Sequence, residues 1–200
     1  MVFIGLIIKK HHRRQHEVRC QEKLKRLLDC ALEQESVKSQ YSNYINQINE
    51  SIKNNQLDLI CAWSSIIQSS NESTKKKYLK IFLELNHIDL LSKALISKNT
   101  KEKCLAIQTV GLCKINAFDE TLKSLTKVPV FSAYACIALA KTQGILSIDT
   151  LIEAFKNELI STSQLLAALL EIQRKDLLSW QRKKTDNRVN QIIACYLEEA

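Results

Sequence analysis

Turn formers are almost missing from this chain, which has only 3 Gly and 1 Pro in 200 residues. The tight reversals of a β-sandwich or barrel need those residues, so such folds are excluded. Seven cysteines, at 20, 30, 61, 104, 113, 136 and 195, are odd in number and form no C-x-x-C pair. That leaves neither a disulfide framework nor a zinc ribbon, and it fits a reducing cytoplasm. No Gly-rich phosphate loop, G-x-S-x-G or H-E-x-x-H occurs, and with these the common nucleotide, hydrolase and metalloprotease signatures go. The reading is a non-enzyme with no cofactor and no small-molecule substrate.

A bilayer-spanning helix needs roughly 20 apolar residues, and the opening run, MVFIGLII, has eight before the basic block KKHHRRQHEVR, too few to cross a bilayer by itself. A secretory signal is also excluded, because the charge follows the apolar run and no small-residue cleavage site is seen.

What is present is 46% hydrophobic and 25% charged residues, rich in Leu, Ile, Ala, Lys, Glu and Gln. This composition predicts an all-α protein. The net charge of +8 is concentrated: residues 1–26 hold eight Lys or Arg against Glu17 and Glu22, whereas the other 174 residues are nearly neutral. A basic cluster directly after an apolar run is what the positive-inside rule places at the cytoplasmic end of a membrane helix. Lys9, Lys10, Arg13, Arg14 and Arg19 are therefore the candidate membrane-proximal residues, each worth about 1 kcal/mol near anionic lipid.

An apolar residue followed by Asp recurs at Leu57-Asp58, Ile88-Asp89, Phe118-Asp119 and Ile148-Asp149, with an echo at Leu178-Ser179. The period is about 30 residues, the signature of a helical repeat. Each marker opens an amphipathic stretch (the A helix): Leu57, Ile60, Trp63, Ile67; Leu91, Leu95; Leu122, Leu125; Leu151, Ala154, Phe155. A second stretch follows each (the B helix): Tyr78, Ile81, Phe82, Leu85; Cys104, Ile107, Val110; Phe131, Tyr134, Ala135, Ala138; Leu165, Leu166, Leu169; and finally Val189, Ile192, Ile193, Tyr196. The three-to-four spacing puts each set on one helix face. Asn71, Asn99, Pro129 and Ser161 stand where B helices should start, and the marker Asp residues are read as caps of the A helices. Tyr134 is expected to be buried between repeats.

A helix pair this short must stack on its neighbours to bury its apolar face, which predicts a right-handed α-solenoid. Two further stripes, at Leu24, Leu27, Leu28, Ala31, Leu32 and at Val37, Tyr41, Tyr44, Ile45, Ile48, Ile52, predict helices that cap the first repeat. The expected organisation is a stub and basic helix over 1–34 and the solenoid with its capping helix over 35–200.

With its helix-pair period, its Asp-opened A helices and small residues at Ala106, Gly111, Ala133, Ala135, Ala138, Ala167 and Ala168, the chain resembles short HEAT-like (armadillo-like) repeats over about 55–200. It departs from them in the Asp-x-x-Val-Arg signature, of which only Asn187-Arg188-Val189 is a trace. The layout is similar to bacterial membrane-tethered HEAT-repeat proteins. That resemblance implies a cytoplasmic scaffold at the inner membrane face, held by an anchor longer than these eight residues or by peripheral docking. It also implies a protein partner received in a groove lined by B helices, with Lys76, Lys80 and Glu84 as the candidate groove residues.

HEAT-like folds also serve as lyases and DNA-repair enzymes, which is the competing function. A neutral body and no interleaved aromatics argue against nucleic acid. Trp63 and Trp180 fit core positions better than stacking platforms. His12, His16 and Cys20 line up at i, i+4, i+8, but a basic segment with no carboxylate to complete the shell makes a poor metal site. His87 reads as a capping or packing residue.

Overall fold

The computed structural model describes residues 2–34, 38–53, 56–85, 88–181, 191 and 193–194, with side chains from Gln15 onward except 17, 38–39, 49, 51–53, 56–58 and 181. All regular structure among them is helical. The elements are α1 (Val2–Glu33), α2 (Lys38–Lys53), α3 (Gln56–Ser69), α4 (Glu72–Glu84), α5 (Ile88–Ile96), α6 (Thr100–Cys113), α7 (Asp119–Leu125), α8 (Pro129–Gln143), α9 (Ile148–Lys156), α10 (Thr162–Leu169) and α11 (Arg174–Gln181). Short 3-10 turns at Asn116–Phe118 and Gly144–Ser147 lead into α7 and α9.

The B-helix starts are chemically explicit. Asn71 Oδ1 accepts from the Thr74 amide at 2.9 Å, and Asn99 Oδ1 accepts from the Lys101 and Glu102 amides at 3.0 and 3.3 Å. Pro129 occupies the first turn of α8, where its missing N–H costs nothing. Ser161 and Gln164 form a reciprocal capping box on α10: the Gln164 amide donates to Ser161 Oγ, and the Ser161 amide donates to Gln164 Oε1.

The A-helix starts differ from expectation. Asp89, Asp119 and Asp149 lie inside the first turns of α5, α7 and α9, and the caps of α7 and α9 are Phe118 and Ser147, with no side-chain capping bond. These carboxylates stand where the helix dipole favours negative charge, and a preceding 3-10 turn already satisfies the local backbone of α7 and α9. The echo at Leu178-Ser179 falls in the middle of α11, not at its start.

The chain divides into two compact units, residues 1–109 and 110–200, the division falling within α6. In the first unit, α1 and α2 both lie against α3. The core is built from Leu24, Leu28 and Ala31 of α1, Ile48 of α2, Ile60, Trp63 and Ile67 of α3, and Tyr78, Ile81 and Phe82 of α4, all buried. Fully burying each large apolar side chain contributes about 1.5–3 kcal/mol. Trp63 meets Phe82 edge to face, with centroids 5.0 Å apart.

Polar pins cross this core. Thr109 donates its proton to the Leu105 carbonyl at 2.8 Å, so the 2.6 Å contact between Ser64 and Thr109 hydroxyls has Ser64 as donor. The Tyr78 hydroxyl donates to Asp29 and ties α4 to α1.

In the second unit, α8 lies against α7, α9 and α10. Leu151, Ala154 and Phe155 of α9, Leu165 and Leu169 of α10, and Ile193 join Cys136 and Ala140 in one cluster, with Trp180 packed at its edge. Of the fifth B stripe, only Ile193 has a described side chain, and it is buried. Val189, Ile192 and Tyr196 lie outside the described residues.

Tyr134 is not buried; it is 40% exposed, on the same face as the more exposed Val130. The inward residues of α8 are Ser132, Ala135, Cys136, Ala138, Leu139 and Ala140. Apart from the small Ser132 and the Tyr134 hydroxyl, this helix is apolar from Val130 to Ala140, so its sequence carries no polar stripe to say which way it faces.

Candidate functional site

Because α1 is continuous from Val2 to Glu33, the basic block and the core-forming stripe share one rigid rod. The backbone at Lys9, Lys10, Arg13 and Arg14 belongs to this helix, while their side chains lie outside the described residues. Arg19 is exposed. With Lys23 and Arg26 it follows i, i+4, i+7 spacing, which puts the three cations on one face. That face borders an open hollow of about 290 Å³ lined by Arg19, Glu22, Lys23, Arg26 and Leu27. Lys23, Arg26 and Glu22 were legible only as charge in the sequence, and their spacing from Arg19 was the signal that could have singled them out.

On α4, Lys76, Lys80 and Glu84 are all exposed. Glu84 is engaged: its carboxylate accepts the hydroxyl proton of Tyr41 from α2. Nearby, Lys75 pairs with Glu72 at 3.3 Å, an exposed i,i+3 pair worth a few tenths of a kcal/mol at most. The set is thus brought to one helix, with its acidic end tied to the neighbouring element.

His16 is exposed and Cys20 half-buried, while the His12 side chain and His87 lie outside the described residues. Among the described residues no group of three or more His, Cys, Asp or Glu could hold a metal. None of the six described cysteines is in a disulfide. Burial pushes the Cys136 thiol up to about 11 and raises Cys104 as well; both are poor thiolate nucleophiles at neutral pH.

By length and composition, Pro129–Lys156 could cross a membrane. It is, however, two helices broken at Gly144, whose φ of 57° and ψ of −129° form a conformation open to glycine alone. Half of its apolar window is buried inside the protein, as expected of core helices that pack against each other.

No protein-family model, no curated protein and no solved structure matches the chain.

Proposed function

We propose that this protein is a non-catalytic scaffold, held at the cytoplasmic face of a membrane by the N-terminal part of α1 and offering its helix pairs to a protein partner. The observation that carries the reading is the unbroken α1. Its later turns are built into the first unit's core through Leu24, Leu28 and Ala31, and its earlier turns bear the basic block. From residue 8 to residue 24 is about 24 Å of helix at 1.5 Å per residue, enough to hold the folded body off a headgroup layer without a flexible linker.

The scaffold part of the proposal is supported by the alternation of A and B helices, whose A members begin at 56, 88, 119 and 148 and whose B members begin at 72, 100, 129 and 162. Helix pairs at this period favour a right-handed HEAT-like stack, in which Lys76 and Lys80 of α4 would face a partner.

Vesicle sedimentation tests the membrane part. The wild-type chain should sediment with acidic vesicles at low salt. Replacing Lys9, Lys10, Arg13, Arg14 and Arg19 by Gln should release it, at a loss of about 1 kcal/mol per surface charge. Failure of the wild type to sediment with any acidic vesicle would overturn the reading.

A further inference from the structure

We infer that the hollow on α1 is a seat for a phosphomonoester group. The inference rests on the reading of α1 as the membrane-facing element and names the headgroup chemistry it would select.

Arg19, Lys23 and Arg26 are exposed and line the same hollow. Lys23 stands between the two arginines, about 6 Å along the helix axis from one and about 4.5 Å from the other. Glu22 is three residues from Arg19 and four from Arg26, the spacings that favour helical ion pairs. Even so, none of the three cations is bridged to it or to another described carboxylate. Among the described lining residues, three cations against one carboxylate leave a net +2.

A phosphomonoester carries about −1.5 to −2 charges and three acceptor oxygens at neutral pH. That matches the charge and the donors: two guanidinium forks suited to bidentate contact with phosphate, and one ammonium between them. The ligand's own charge supplies the selectivity: Glu22 weakens the field at the hollow but leaves it positive, and a dianionic monoester gains more from that field than a singly charged phosphodiester does. Leu27 provides an apolar wall for the carbon skeleton next to the phosphate. The net positive charge of the described lining, with one carboxylate among it, disfavours a metal cation as the occupant.

The ligand could be a lipid headgroup or a soluble phosphate ester, and one experiment separates them. The full chain is sedimented with phosphatidylcholine vesicles containing either phosphatidic acid, a monoester, or phosphatidylglycerol, a diester, at matched surface charge. Wild type should bind the phosphatidic acid vesicles about tenfold more tightly, the scale of one well-placed charge-assisted contact. The exposed double change Lys23→Gln with Arg26→Gln should erase that preference and leave the phosphatidylglycerol binding that residues 9–14 supply. Glu22→Gln should strengthen binding to both vesicle types and widen the preference, because the repulsion it removes is larger for the dianion.

Equal binding to both vesicle types, or a preference that survives the double change, would overturn the seat while leaving the membrane reading intact. If neither vesicle sediments the chain, the membrane reading falls and glycerol 3-phosphate decides the seat. Amide shifts confined to residues 19–27 on its addition, lost in the double variant, would uphold a soluble-ligand site; their absence would overturn it.

Discussion

Gly111 is fully surrounded within its unit. A Cβ built there would stand 2.8 Å from the Ala138 Cα, a backbone atom that cannot swing aside. Helices α6 and α8 thus approach at backbone contact, and only glycine permits it. Two effects oppose each other in Gly111→Ala: alanine gains up to about 1 kcal/mol of helix propensity, and overpacking costs typically 1–3 kcal/mol. Because the clash is with backbone, overpacking wins. Urea denaturation should show a net loss of about 1–2 kcal/mol, and a gain in stability would mean the two helices are not in backbone contact.

Tyr78 offers a second test at the same scale. Burial raises its pKa well above the ordinary value of 10, and the hydrogen bond to Asp29 and that residue's charge raise it further. The sign follows directly: the folded chain keeps the phenol proton at a pH where the unfolded chain releases it, so this stabilisation is complete below pH 10 and is lost as pH rises beyond it. Wild type should therefore lose stability between pH 9 and pH 11 faster than Tyr78→Phe, which has no proton to lose. Parallel urea midpoints for the two chains across that range would show that Tyr78 is not held neutral by the fold.

Among the elements, α10 depends most visibly on its cap. It has only eight residues, and in isolation a helix shorter than about 12–15 residues is marginal. The reciprocal Ser161 and Gln164 bonds satisfy backbone donors at its start, while Leu165, Ala168 and Leu169 bury its inner face. Ser161→Ala should cost about 1 kcal/mol. Hydrogen exchange should report it as faster exchange at the first amides of α10 with α9 unchanged; uniform change across the unit would mean that the cap acts globally. By the same element-level reasoning, Tyr134 and Val130 on the outer side of α8 contribute little to stability, whereas Cys136 and Leu139 on its inner side hold the core.

For the whole molecule the charge distribution matters more than its sum. Most of the excess of +8 resides in the first 26 residues, on a helix whose later turns are part of the folded body. The proposed membrane contact is therefore electrostatic and should weaken with salt, since the Debye length shrinks from about 8 Å at physiological ionic strength to about 3 Å at 1 M. Substituting Lys9, Lys10, Arg13, Arg14 and Arg19 should leave the urea midpoint unchanged, because Arg19 is exposed and the buried residues of α1 among those described are Leu24, Leu28 and Ala31. A vesicle interaction that survives 1 M salt would point to apolar insertion instead of charge.

Where the B helices start, and which face of most helices is buried, was legible in the sequence. Asn71, Asn99 and Ser161 accept from amides within three residues, Pro129 suits a first turn by its fixed φ and missing N–H, and the stripes of α3, α4, α9 and α10 alternate with polar residues, so local chemistry is sufficient. Arg19 was legible as charge, but not the hollow it shares with Lys23, Arg26 and Leu27. Tertiary structure alone decided the facing of α8, whose apolar surface offers no local marker, and the close approach that reserves position 111 for glycine. It also chose the partners joined across 43, 45 and 49 residues: Tyr41 with Glu84, Ser64 with Thr109, and Tyr78 with Asp29. A cap senses only its own turn, whereas a partner far along the chain is set by how helices pack, and that packing follows from the summed burial of many side chains and not from any single residue.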